Sequence, residues 1–193
     1  MPTQAPGNFT LLEKIDSRTA LFSWDPVRPE TLRGKFEGYK IQTWTDNDGE
    51  DDRREILIKN DANNAVVDKL IPYSKNYLVV MAYNTDYNGP ASRVIEVETP
   101  QGTPGPVETF NAYPLGASSL YLDWQQPEHP NGILTGYRIY YQRVDGTNVG
   151  PLMEREPPIV DPEQLNAKLA GLAPSTKYRV HISATTEVGP GSE

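Results

Sequence analysis

The sequence contains no cysteine, which excludes disulfide frameworks, thiolate zinc sites and cysteine nucleophiles. That absence leaves the redox compartment open, because a well-packed core needs no covalent bridge. Histidine is scarce. His129 sits beside Pro130 in a loop, and His181 lies on a strand out of phase with Val180 and Ile182. The two share no ligand spacing, so both read as surface residues and not as metal ligands. No basic cluster occurs beyond Arg53-Arg54, which follows directly on an acidic run. Nucleic acid, heparin and anionic lipid are therefore poor partners. No apolar stretch approaches the roughly 20 residues a membrane helix requires, so no direct membrane contact is expected. Met1-Pro2-Thr3-Gln4 has neither the charged nor the apolar part of a signal peptide. An extracellular role would make the chain a piece of a longer protein. Phosphate loops, nucleophile elbows and paired-carboxylate motifs are also missing. The expectation is no enzyme, no cofactor and no metal.

What is present is a repeat. The 193 residues carry a net charge of −8. It divides evenly, with 12 basic and 16 acidic residues in 1–100 and 6 and 10 in 101–193. Trp24 ends Thr19-Ala20-Leu21-Phe22-Ser23-Trp24, and Trp124 ends Ser119-Leu120-Tyr121-Leu122-Asp123-Trp124. Gly38-Tyr39-Lys40-Ile41 is matched by Gly136-Tyr137-Arg138-Ile139, Leu70-Ile71-Pro72 by Leu172-Ala173-Pro174, and Gly89-Pro90 by Gly189-Pro190. Four landmarks in one order, offset by 98 to 102 residues, indicate a duplication.

The segments between landmarks read as strands. Ala20, Phe22 and Trp24 alternate with Leu21 and Ser23, which sends one set of side chains into a core. Tyr39 with Ile41, and Tyr178, Val180, Ile182 and Ala184, follow the same rule. Asp48-Gly49, Asn131-Gly132 and Asp145-Gly146 favour tight reversals. Eighteen prolines argue against long helices; only 162–170 could form a short helical turn. The predicted architecture is all-β: two tandem antiparallel β-sandwiches, 1–100 and 101–193, joined by the proline-rich stretch 99–106.

A tryptophan on the second strand, Gly-Tyr opening the third and Leu-x-Pro-x-x-x-Tyr before the sixth resemble fibronectin type III domains, which are immunoglobulin-like sandwiches. The resemblance implies structural core positions at Trp24, Tyr39, Leu70, Trp124, Tyr137, Leu172 and Tyr178, with Tyr178 forming a tyrosine corner. In the first half the spacing lands on Asn76, with Tyr77 one step late. Either Asn76 replaces the corner tyrosine, or a bulge near Asn76-Tyr77 absorbs the extra residue. More narrowly, Leu32-Arg33-Gly34-Lys35-Phe36-Glu37-Gly38-Tyr39-Lys40 with Trp44 is similar to a membrane-proximal domain of the neural cell-adhesion family that includes neurofascin and neuroglian. Pro2-Thr3-Gln4-Ala5-Pro6-Gly7-Asn8-Phe9 and Ala112-Tyr113-Pro114-Leu115-Gly116 carry the same likeness. It implies the extracellular part of a single-pass plasma-membrane protein of neurons and glia.

Asp46-Asn47-Asp48-Gly49-Glu50-Asp51-Asp52 is the most conspicuous charge run. Its glycine comes fourth, whereas a calcium loop needs it sixth. A solvated hairpin tip with Arg53 and Arg54 as counter-charges is the better reading. The loop 85–89 is two residues longer than its counterpart before Gly189. Asp86, Tyr87 and Asn88 there are candidate protein contacts, since sandwich end loops often carry recognition; incidental length is the competing explanation. No Arg-Gly-Asp triplet occurs. Trp44 falls out of phase with Tyr39 and Ile41, so it belongs on the outer face, as a contact residue or as cover for arginine stems. Tyr140, beside Tyr141, is placed similarly. Asn8-Phe9-Thr10 is a glycosylation sequon.

The functional expectation is an extracellular stalk module that spaces adhesive domains and meets protein partners, itself or another cell-surface protein. The alternative is an accessory module of a secreted enzyme or of another receptor. A cytokine-receptor pair is weakened by the missing cysteines and the absence of a Trp-Ser-x-Trp-Ser box. In the first half Gly89-Pro90-Ala91-Ser92 leads into Arg93-Val94-Ile95-Glu96-Val97-Glu98, while Gly189-Pro190-Gly191-Ser192 leads only to Glu193. The second domain is therefore expected to lack its last strand and to expose an edge able to recruit another chain.

Overall fold

In the computed structural model, which describes residues 2–32 and 34–193, the alternation around Trp24 becomes a strand with one face in a core. Met1 and Arg33, the latter within the family-like string, lie outside the described residues. The chain divides into two compact units, Met1–Pro100 and Gln101–Glu193.

Unit 1 contains β1 (Gly7–Lys14), β2 (Ala20–Asp25), β3 (Phe36–Trp44), β4 (Arg54–Lys59), β5 (Asn64–Val67), β6 (Lys75–Asn84) and β7 (Ile95–Glu98). They form two antiparallel sheets, ordered β1-β2-β5 and β4-β3-β6-β7. Phe9, Phe22, Trp24, Tyr39, Ile41, Leu70, Leu78, Val80 and Val97 fill the space between the sheets. Each such side chain contributes about 1.5–3 kcal/mol through burial. Trp24 packs on Tyr39 at 5.3 Å between ring centroids. The Tyr39 hydroxyl accepts a bond from Val27 N at 3.0 Å and donates to Asp61 Oδ1 at 3.4 Å. Burial raises this phenol above its ordinary pKa. Pairing of β1 with β2 is irregular twice, between Gly7 and Thr10 and between Leu11 and Glu13.

Unit 2 repeats the plan with β8 (Phe110–Pro114), β9 (Leu120–Trp124), β10 (Gly136–Asp145), β11 (Asn148–Val149), β12 (Met153–Glu154), β13 (Asn166–Leu169), β14 (Lys177–Thr186) and β15 (Gly189–Pro190). One sheet runs β13-β9-β8; the other runs β11-β10-β14-β15, with β12 also paired to β10. Trp124 packs on Tyr137 at 5.3 Å, the same relationship as in unit 1. Tyr137 donates to Pro162 O at 3.2 Å. Leu172 is buried, and half-buried Tyr178 packs against the same core.

The glycine of each Gly-Tyr pair has a steric cause. A Cβ on Gly38 would lie 2.0 Å from the Ile58 carbonyl oxygen, and one on Gly136 1.8 Å from that of Ile159. Both glycines sit at φ +156°. Only a residue without a side chain lets the neighbouring backbone approach so closely while the next tyrosine enters the core.

The corner in unit 1 belongs to Asn76, without a bulge: β6 pairs in register with β3 from Tyr83 to Tyr77, and with β7. Asn76 is fully buried, and Tyr77 faces outward. In unit 2 the Tyr178 hydroxyl accepts from Ala173 N at 2.8 Å.

Two local points are decided by the structure. Residues 162–170 make no helical turn: β13 occupies 166–169 and pairs antiparallel with β9. Leu165, Ala167 and Leu169 alternate with polar residues, and that period of two prevails over local helix preference. Asn131-Gly132 closes no hairpin. It lies in the crossover from β9 to β10, where Asn131 takes φ +57° and its Nδ2 donates to Thr103 O at 3.0 Å. Asp145-Gly146 does reverse the chain, between β10 and β11.

Along β14, positions 177–180 correspond to 75–78 of β6, which pair with β7. On that side 177–180 face no strand among the described residues. A groove of about 710 Å³ lies there, lined among others by Phe110, Leu120, Leu172, Tyr178 and Val180. Ile95 and Val97 close the corresponding place in unit 1.

Candidate functional site

The loop after β6 owes its shape to Asn84. The Asn84 side-chain oxygen accepts from Asp86 N at 3.0 Å and Tyr87 N at 2.8 Å. Its own N–H donates to Tyr87 O at 3.0 Å, and Gly89 N returns to Ala82 O at 2.7 Å. Asparagine favours such turns because its short carboxamide mimics the backbone. These bonds define the turn over residues 85–89, with Asp86, Tyr87 and Asn88 all exposed, Tyr87 at 59 %. Gly89 abuts the N-terminal segment, since a Cβ there would lie 2.8 Å from Pro2 Cβ.

Beside the loop is a shallow recess of about 290 Å³, walled by Glu37 and Lys40 of β3, Leu57 of β4 and Tyr83 of β6. Thr85 Oγ1 donates to Glu37 Oε1 at 3.1 Å and ties the loop to its wall. Lys40 reaches Glu55 at 3.4 Å. The Glu55 carboxyl is held below its ordinary pKa, chiefly by a hydrogen bond from Gln42. Exposed Leu57 and Tyr87, with charges of both signs, make a surface suited to a protein contact. These wall residues come from three strands, so no local sequence signal marks them; Asn84 followed by Thr85-Asp86 is a turn signal that does.

Trp44 belongs elsewhere. Its cross-strand neighbour is Tyr77, whereas Phe36 at the other end of β3 pairs with Asn84. At roughly 3.3 Å per strand residue, Trp44 lies about 26 Å along the sheet from the loop. The structure does not bring the two together. Half-buried Trp44 stacks on Tyr77 at 6.0 Å and 25°, and the Arg53 guanidinium sits 3.9 Å above its ring. Asp46 accepts from the Tyr77 hydroxyl and raises that phenol's pKa.

The acidic run spans the tip between β3 and β4. Asp48 accepts from Thr45 N at 2.8 Å and Arg54 at 3.1 Å. Burial opposes ionisation of this carboxyl, but the Thr45 and Arg54 interactions outweigh it and lower its pKa. Arg54 is the counter-charge and Arg53 is the lid of Trp44. Among the described residues no group of three or more His, Asp or Glu side chains is placed to hold a metal. His181 lies beside Glu193 at 3.4 Å. Half-buried Tyr140 faces Glu154 and His181 across β10. Asn8 is exposed at the first irregularity of β1 and donates to Asp25.

Among the described residues no helix is long and apolar enough to cross a membrane. Drosophila melanogaster neuroglian is 50% identical over 192 residues, covering 100% of this chain and 15% of that protein. Mus musculus neuronal cell adhesion molecule is 34% identical over 200 residues, covering 100% of this chain and 16% of its own. Homo sapiens neural cell adhesion molecule L1 is 31% identical over 186 residues, covering 93% and 14%. The chain thus spans 14 to 16% of the length of these relatives. The Fibronectin type III domain model matches residues 4–98 and 105–193. Matched in both halves, the chain belongs to the fibronectin type III family as two tandem domains.

Proposed function

We propose that this chain is a stalk segment in the extracellular region of a neural cell-adhesion receptor. It spaces more distal adhesive domains and offers a protein contact on unit 1, and it performs no catalysis. The observation that carries the reading is 50% identity to neuroglian across the whole chain. The hydrogen-bonded loop with exposed Asp86, Tyr87 and Asn88 beside a shallow mixed recess supports the contact. Recognition side chains on a loop fixed by a scaffold lose little entropy on binding. The partner is a second copy or another cell-surface protein.

The test is surface labelling of the parent protein on intact cells, followed by cell aggregation with Tyr87→Ala in the parent. Labelling from outside together with weakened aggregation supports both parts. Failure to label removes the extracellular stalk, and unchanged aggregation removes the loop as a contact.

A further inference from the structure

We infer that Asn8 is an N-glycan acceptor, at the end of unit 1 that bears the candidate contact loop; this rests on the secretory route of the proposed function. Asn8-Phe9-Thr10 is the only sequon in the sequence. The structure gives each of its residues a distinct place. Phe9 is buried in the core and anchors the segment, while Asn8 and Thr10 are exposed. Asn8 takes φ +50°, in the stretch where β1 leaves register with β2. The Thr10 hydroxyl donates to Asn8 O at 2.9 Å, holding the two functional residues of the sequon together.

The folded protein also has room for the product. Asn8 Nδ2 carries two hydrogens, and the bond to Asp25 Oδ2 uses one. Substitution replaces the other and leaves that bond in place. In the reaction Nδ2 attacks the anomeric carbon of an oligosaccharide carried on a polyprenyl diphosphate. The carbon–oxygen bond to the diphosphate breaks, the lipid diphosphate leaves with the bonding pair, and Nδ2 loses one proton. β1 begins and β6 ends at the same end of the sandwich, since Gly7 pairs with Asp25 and Phe36 with Asn84. The sugar therefore stands at the end that carries Asp86, Tyr87 and Asn88.

The test is expression of all 193 residues behind a cleavable signal sequence in a eukaryotic secretory cell, with peptide mapping of the secreted protein. Expected is a glycosylated peptide containing Asn8, converted to Asp at that position by peptide N-glycosidase. Asn8→Gln and Thr10→Ala lose the glycan while secretion continues, and Thr10→Ser retains it. A secreted chain with unmodified Asn8 overturns the assignment. Because the signal is supplied, that outcome leaves the extracellular reading untouched, which surface labelling of the parent tests separately.

Discussion

The carboxamide of Asn76 bonds both polar atoms of one backbone residue, accepting from Ile71 N at 2.9 Å and donating to Ile71 O at 3.0 Å. It also reaches Ser74 O at 3.2 Å, and Thr99 Oγ1 donates to Ile71 O at 2.6 Å. The equivalent corner in unit 2 rests on the single bond from Ala173 N to the Tyr178 hydroxyl. One structural task is met by a buried network in one domain and by an aromatic strut in the other.

Asn76→Ala leaves the part-buried Ile71 N without this partner and removes the buried carboxamide network, and should cost unit 1 about 2 kcal/mol. Tyr178→Phe keeps its ring packing and should cost unit 2 about 1 kcal/mol. Urea unfolding of the two units, followed separately, checks the order. A larger loss from Tyr178→Phe contradicts the account of the corner.

Gly38→Ala and Gly136→Ala force a methyl group into a backbone carbonyl. Each should destabilise its own unit by about 3 kcal/mol or more, well beyond an ordinary propensity effect. Thermal unfolding of each variant reads this directly, and a loss near that of a surface substitution would falsify the steric argument.

Alkaline pH should unfold the protein through its buried tyrosines. Tyr39 and Tyr137 both have raised pKa values, principally from burial. An unfolded phenol ionises near pH 10, whereas these phenols ionise only above that. Stability is therefore intact below about pH 10 and falls as pH rises past the unfolded value. Tyr137→Phe should flatten that fall when unfolding is followed from pH 8 to 11.

At acid pH the carboxylates Asp48 and Glu55, whose pKa values are lowered, act with the opposite sign. Their contribution is present above the ordinary carboxylate range and is lost as pH falls through their depressed values, below about pH 4. Arg54→Ala should reduce that acid dependence. Arg53→Ala should leave it alone and cost about 0.5–1 kcal/mol by uncovering Trp44.

Much of the fold was legible in the residues. Trp24 and Trp124 sit in period-two segments, and the repeated Gly-Tyr pairs mark where Tyr39 and Tyr137 enter the two cores; the backbone approach behind Gly38 and Gly136 shows only in the assembled sheets. The corner was not legible, because residues 77–83 are apolar on both faces and only pairing with β3 and β7 chooses between Asn76 and Tyr77. The roles of Arg53 and Arg54 were indistinguishable for a related reason. Adjacent residues at a strand start project to different sides, one over Trp44 and the other to Asp48. The loop 85–89 was visible as an extra length of chain. Its recess was not, since Glu37, Lys40, Leu57 and Tyr83 meet only when the sheet assembles.

The broken pairing of β1 takes on another meaning if the chain bears load, as the proposed stalk role would require. Load entering from Pro2 reaches β1 first. A strand in continuous register shares shear over its whole ladder at once. One interrupted between Gly7 and Thr10, and again between Leu11 and Glu13, offers its bonds in short groups that give way in turn. Under such load the first strand is expected to act as a mechanical fuse, yielding in steps before the longer β3–β6 ladder parts.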